Sequence, residues 1–164
     1  MNDSESRGQG EPRRVPFDDT FRELSLAWLA DSEMARLTRV RGVDPVSQAD
    51  WFAGLADRVD YAIWGISFDG VPVGALGLKH IGIDEGAEYF MYIGDPAYWG
   101  RGIAQWAFDE IYAESRQRGL RYIYGIVGKD NPRSLHVDLR HGFQIREERE
   151  DEWFIACPVK ENLT

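Results

Sequence analysis

The chain has 164 residues and a mass of 18.8 kDa, with 28 acidic against 19 basic residues and a formal charge of −9. A length near ~150 residues favours one domain whose core needs no disulfide staples, and a content of 43% hydrophobic and 13% aromatic residues exceeds that of a disordered chain. The acidic balance speaks against nucleic acid as a partner. No apolar run reaches the ~20 residues of a membrane span, and the start has no signal-peptide core. Cys157 stands alone, so there is no internal disulfide, and no Cys/His spacing of metal-ligand type occurs, so no metal is expected. These features together predict a cytoplasmic protein, monomer or homodimer, that engages neither membrane nor nucleic acid.

Residues 1–14 hold three acidic and three basic residues, and Met1 is the only large apolar one, which predicts a disordered leader ahead of a single domain over 15–164. Residues 20–26 read as a short strand. Ser32 can cap a helix to about residue 38, and Ser47 followed by Asp50 resembles a capping box opening a helix to about residue 58, packed through Val46, Phe52 and Leu55. Residues 61–68 are β-rich and run into Asp69-Gly70, a hairpin turn signal, with 71–80 as the partner strand. Residues 88–93 alternate and are aromatic, a strand that Gly94-Asp95-Pro96 ends. Ile103, Ala107, Ile111 and Ala104, Phe108, Tyr112 recur at helical spacing, which predicts a helix over 103–117 stopped by Gly119. Residues 121–127 form a strand, 132–140 a helix ending at Gly142, and 143–146 and 153–158 the closing strands. Antiparallel strands followed by strand–helix–strand imply a mixed sheet carrying helices, an α/β (α+β) protein.

Charge is uneven along the chain. Residues 15–100 carry a net −8, residues 101–141 a net +2 and residues 142–164 a net −3. A slightly basic segment inside an acidic protein suits a face toward an anion, although solvated helix faces give the same count. That segment begins in Trp99-Gly100-Arg101-Gly102-Ile103-Ala104, between a strand and the long helix. Glycines let a ligand approach the backbone, and a helix's first turn offers unpaired N–H groups at its positive end, so the stretch suits a phosphate or pyrophosphate. It is neither a GxxxxGK[ST] loop nor a G-x-G-x-x-G fingerprint, since Gln105 follows where the third glycine would stand.

With its downstream strand and helix, residues 93–143 resemble the acetyl-coenzyme A core of the GNAT superfamily of N-acetyltransferases. That family's loop reads Q/R-x-x-G-x-G/A. Gly102 and Ala104 match its last two positions, and Trp99 stands where Gln or Arg is usual. Asn131, Ser134 and Gly142-Phe143 then follow the pattern N-x-x-[AS]-x(7)-G-F. The resemblance implies a central, mostly antiparallel sheet of six or seven strands, about four flanking helices and a splay between the fourth and fifth strands. It implies acetyl-coenzyme A as cosubstrate, its pyrophosphate on the N–H groups of Gly100, Arg101, Gly102, Ile103 and Ala104. The pantetheine arm would then pair with backbone near Tyr92 and Ile93, with Asn131 holding it from the far side. A primary amine attacks the thioester directly, so the site must take a proton from the ammonium, polarise the carbonyl and protonate the leaving thiolate.

The family commonly has a tyrosine seven residues after the asparagine as that last donor, and here the position is Asp138. A carboxyl with an ordinary pKa near ~3.9 is ionised at neutral pH and gives no proton unless burial raises it. His136 is a substitute donor, although i and i+2 do not share a helix face. Glu88 is the candidate base, because related enzymes carry a carboxylate near this point of the strand. His80 could line the same cleft, Asp84 and Glu85 could attract a cationic amine, and Trp28 and Trp51 could border the acceptor. Among family branches the arrangement resembles those that acetylate 4-amino nucleotide sugars, polyamines and ribosomal-protein N-termini. Aromatic residues suit a sugar, and the acidic front suits a polyamine, an aminoglycoside or a peptide amine. The amino sugar is the first expectation. A non-catalytic acyl-coenzyme A-binding module is the rival that Asp138 motivates.

Overall fold

The structure, a computed structural model, describes residues 10–39, 44–83 and 85–160. Seven strands form one mixed sheet: β1 (Pro12–Pro16), β2 (Tyr61–Phe68), β3 (Val71–Ile83), β4 (Gly86–Ile93), β5 (Tyr122–Gly128), β6 (Gln144–Glu148) and β7 (Glu152–Pro158), in the order β1-β2-β3-β4-β5-β7-β6. Every neighbouring pair is antiparallel except β4 and β5. Five helices flank it: α1 (Asp19–Ala30), α2 (Ser32–Thr38), α3 (Pro45–Gly54), α4 (Ile103–Gln117) and α5 (Pro132–Arg140). None of them is long and apolar enough to cross a membrane.

The front of the chain departs from the sequence reading. Residues 20–26 are not a strand but lie inside α1, because Asp18 caps the helix by accepting from the Phe21 amide, and Phe21 and Ser25, four apart, face the core. The edge strand is instead β1, which takes in residues 12–14 of the expected leader; residues 1–9 lie outside the described residues. The cap of α2 is Asp31 rather than Ser32, and α3 is capped by Asp44, whose side chain accepts from the amides of Val46 and Ser47 and from the Ser47 hydroxyl. That helix ends at Gly54 in a 3-10 turn, and Val46, expected to pack, is 73% exposed. From residue 61 onward the expected elements hold, with α4 and α5 beginning and ending where periodicity and punctuation put them.

The core joins the sheet to α4: Ile66, Leu76, Leu78, Ile123 and Ile155 meet Ile103, Phe108 and Ile111. This anchors β4 and β5 from below, so their divergence is held by packing rather than by a ladder. Because Ile66 is fully buried, replacing it with Ala should cost about 2–5 kcal/mol, read as a shift of the urea unfolding midpoint.

Candidate functional site

The parallel ladder between β4 and β5 runs only from Gly86↔Tyr122 to Glu88↔Tyr124. Beyond it the strands separate, and a cavity of about 440 Å³ opens between them toward α1, α2 and α3. Tyr89, Met91 and Tyr92 of β4, Gly125 and Val127 of β5 and Ser134 of α5 line its floor and sides, while Phe17, Trp51, Tyr61 and Phe90 give it aromatic walls. These rings contact one another, Trp51 on Tyr61 at 5.8 Å and Tyr61 on Phe90 at 5.6 Å between centroids. Burial holds the hydroxyls of Tyr61 and Tyr92 above their ordinary pKa, so both are neutral donors.

Glu88 lies in this cavity with a side chain 15% exposed. Its Oε2 is 3.2 Å from the Lys79 ammonium and its Oε1 is 3.9 Å from His80 Nε2. Lys79 and Glu88 are the cavity's one ammonium and one carboxylate among the described residues, so the net −8 of the front half does not reach its interior. Glu85 is turned away, paired with Arg121 at 2.9 Å, and Asp84 lies outside the described residues. Gln48 lines the cavity and donates through Nε2 to Ser25 Oγ at 2.6 Å, while its Oε1 is buried without a hydrogen-bond partner. Trp28 packs on Gly94 and edge-on to Tyr92 rather than lining the cavity.

The glycine stretch lies past the open end of the splay. Gly100 and Gly102 have φ of +77° and +78°, and a Cβ at either would meet nothing within 4 Å. Gly102 is the N-cap of α4 and no side chain caps that helix, so the first-turn amides of Ile103, Ala104 and Gln105 are left for a ligand. A clear approach, left-handed glycines and free amides fit a pyrophosphate. Trp99 does not join this donor set: its indole N–H donates to the Ile93 carbonyl at 2.9 Å, which closes the end of β4 and engages the acceptor expected for the pantetheine arm. Arg101 lies over the Tyr98 ring at 5.1 Å and Arg133 over Trp99 at 5.9 Å, leaving two cations beside the loop. Elsewhere in the basic segment Arg121 and Lys129 are paired with Glu85 and Glu148. Asn131 caps α5, its Oδ1 accepting from the Ser134 amide at 3.2 Å, an arrangement that leaves its amide nitrogen available to another group.

The candidate proton donors separate. His136 is exposed and stands away from the cavity. Asp138 is 2% exposed, not a solvated helix residue, and burial pushes its carboxyl up to about 7. It does not line the cavity; its Oδ1 accepts a 2.5 Å hydrogen bond from the hydroxyl of Tyr89, which does. Sequence reasoning missed Tyr89, Lys79 and Gln48. The alternation along residues 88–93 puts Tyr89 on the same face as Met91 and Ile93, and nothing local sets it apart from them.

Among proteins of known structure, several share this arrangement. A spermidine N-acetyltransferase from Vibrio cholerae, solved with CoA and spermine, superposes with a TM-score of 0.78 at 16% identity over 96% of this chain and 99% of its own. A domain from Methanocaldococcus jannaschii gives 0.77 at 17% identity over 92% and 99%, and the Campylobacter jejuni N-acetyltransferase PseH gives 0.70 at 16% identity over 93% and 99%. The sequence profile of the acetyltransferase (GNAT) family matches residues 19–143. No curated protein matches by sequence.

Because Asp138 binds its proton more tightly folded than unfolded, unfolding releases that proton between pH ~4 and 7, and the native state loses up to about 4 kcal/mol as pH rises through this window. Asp138→Asn does not titrate. Its melting temperature relative to the parent should therefore rise between pH 4 and 7 and level off above, measured by calorimetry across that range.

Proposed function

The chain belongs to the acetyltransferase (GNAT) family, and from that membership we propose that it moves an acetyl group from acetyl-coenzyme A directly onto a primary amine of a small molecule, an amino sugar of the 4-amino nucleotide-sugar kind. The observation that carries the reading is the uncapped start of α4, joined by the β4–β5 splay to an aromatic cavity. An extended arm anchored by its phosphates at the first feature would end in the second.

Acetyl-coenzyme A supplies the activated acetyl thioester. Everything else falls to the protein. The amides from Gly100 to Ala104 receive the pyrophosphate and orient the arm, with Arg101 and Arg133 adding charge at the rim. Asn131 meets the arm from α5, and backbone groups near Tyr92 flank it in the splay. Glu88 takes up the proton of the incoming ammonium, directly or through water, and the Lys79 ammonium keeps that carboxylate oriented. Aligning amine and thioester in a cavity that excludes bulk water supplies much of the acceleration.

The cavity walls support the acceptor. Aromatic faces stack on the apolar face of a sugar ring, and Gln48 Oε1, buried without a partner, can accept a hydrogen bond from a hydroxyl. A polycation would find a single carboxylate already paired with Lys79, which removes the support that the acidic front half gave to a polyamine.

Thiol release from acetyl-coenzyme A, followed with 4-amino sugars and their nucleotide forms, spermidine, an aminoglycoside and a peptide amine, tests the reading. Turnover should be greatest with an amino sugar and should fall about 100-fold or more in Glu88→Gln. A stronger response to spermidine would correct the acceptor, and tight coenzyme A binding with no turnover across the panel would make the protein a binding module. Gly102→Val forces a β-branched residue to φ near +78° and should weaken coenzyme A binding about tenfold or more by calorimetry; unchanged affinity would remove the phosphate-loop assignment.

A further inference from the structure

Two buried groups stay unexplained by the roles above: the Tyr89 hydroxyl and the carboxyl of Asp138 behind it. Tyr89 is the first β4 residue past the last ladder pair, Glu88↔Tyr124, so it stands where the strands begin to separate. Its ring lies over Gly125, where a Cβ would come within 2.6 Å of Tyr89 Cε1, and is packed against Phe108 and Phe143 at 5.5 and 5.0 Å. That packing fixes the ring, which lines the cavity, and its hydroxyl meets Asp138. Resting on the acetyltransferase reading, we propose that Tyr89 is the proton donor to the departing thiolate and that Asp138 positions it and returns its proton.

The carboxyl geometry supports a relay. Asp138 Oδ2 is buried without a partner, whereas Oδ1 is 2.5 Å from the Tyr89 oxygen. The Tyr89 hydroxyl donates to the carboxylate form; a proton added on Oδ2 would be stranded, so on protonation the carboxyl carries it on Oδ1 and the bond reverses, Asp138 donating to the Tyr89 oxygen. The Tyr89 proton is then free to point into the cavity. As the amine nitrogen bonds to the acyl carbon and the C–S bond breaks, the sulfur leaves with the bonding pair and takes the Tyr89 proton. The Tyr89 oxygen takes the Asp138 proton. Asp138 ends as a carboxylate and is reprotonated from solvent, while the proton lost by the amine departs through Glu88. No tyrosinate is formed. This matters because burial holds the Tyr89 hydroxyl well above its ordinary pKa, too weak an acid to protonate a thiolate unaided.

The groups facing this pair are few. Glu88 lies on the opposite face of β4. From α4 comes Tyr112, whose hydroxyl donates to the His141 carbonyl at 2.6 Å and contacts Cys157 of β7, with Asp109 beyond it. After α5, His141 is stacked on Phe108 with Nδ1 against the Val137 carbonyl. The His141 amide donates to the Asp138 backbone carbonyl at 3.0 Å, but none of these residues reaches the Asp138 carboxyl with a hydrogen bond among the described residues. Burial is accordingly what lifts its carboxyl to about 7, and the Tyr89 bond lowers it in part.

The test uses the full chain with the best amine of the panel, Tyr89→Phe, Asp138→Asn, calorimetry with coenzyme A, and carboxyl-carbon NMR titration without ligand. Tyr89→Phe should lower kcat about 10²–10⁴-fold with coenzyme A affinity unchanged. Wild-type kcat should fall as pH rises through about 7, and Asp138→Asn should be slow with that alkaline limb gone. In the ligand-free protein the Asp138 carboxyl should titrate near 7 and move upward in Tyr89→Phe. Wild-type turnover matched by Tyr89→Phe, an alkaline limb kept in Asp138→Asn, or an Asp138 titration indifferent to Tyr89 would each overturn the proposal while sparing the acetyltransferase reading. Coenzyme A binding without wild-type turnover would overturn both.

Discussion

Between β4 and β5 the parallel ladder holds from Gly86↔Tyr122 to Glu88↔Tyr124 and then stops, and the geometry of the site follows from that stop. Two strands that diverge leave backbone donors and acceptors facing each other across a gap, a cost unless something fills it. The sheet tolerates the gap because each strand is tied on its other edge, β4 to β3 from Gly74↔Ile93 to Lys79↔Glu88 and β5 to β7 over its whole length. Underneath, α4 packs Phe108 and Ile111 against both. The gap is thus a stable feature of the fold, and its shape, a slot of extended backbone between a helix start and an aromatic chamber, suits an extended ligand better than a compact one. Trp99 marks where the slot ends by taking the Ile93 carbonyl.

Charge is organised on a smaller scale than the bulk value suggests. Beneath the −9 of the whole chain, many surface charges are paired, such as Arg36 with Glu33 and Asp130, Arg58 with Asp60, and Arg149 with Glu147 and Glu152, each pair worth little singly. Inside the cavity the balance is a single Lys79–Glu88 pair. The basic segment likewise spends Arg121 and Lys129 on ion pairs, while Arg101 and Arg133 lie beside the glycine loop. An anion at the loop would therefore be met mainly by backbone amides, which need no net charge to act.

What the sequence disclosed follows the range of the forces involved. The helices Ile103–Gln117 and Pro132–Arg140 were legible to the residue because glycine, proline and apolar spacing act within a few positions. Seven positions, 20–26, are too few to separate a strand period from a helical one, and the Asp18 cap that decides for a helix lies outside that window. Glu88 was found because a strand face and a family position coincided, but its neutralisation by Lys79 depends on cross-strand register, which alternation alone does not fix. Tyr89 and Asp138 are 49 positions apart, and no local pattern ties a strand tyrosine to a helix carboxyl. A lone Asp at position 138 read as either solvated or buried, and only the tertiary fold decides between them.

That pair also constrains how the substitution at position 138 can be understood. A carboxyl at 2% exposure with one oxygen unbonded is a poor structural element, since an apolar side chain of similar size would fill the space without desolvation cost. Nor does it serve Tyr89 as packing, because Phe108 and Phe143 already fix that ring. The tyrosine in turn depends on Gly125, as any side chain there would drive its ring out of the splay. Three residues on three elements are therefore mutually required: the glycine admits the ring, the ring brings a hydroxyl to the strand junction, and the short carboxyl leaves it room.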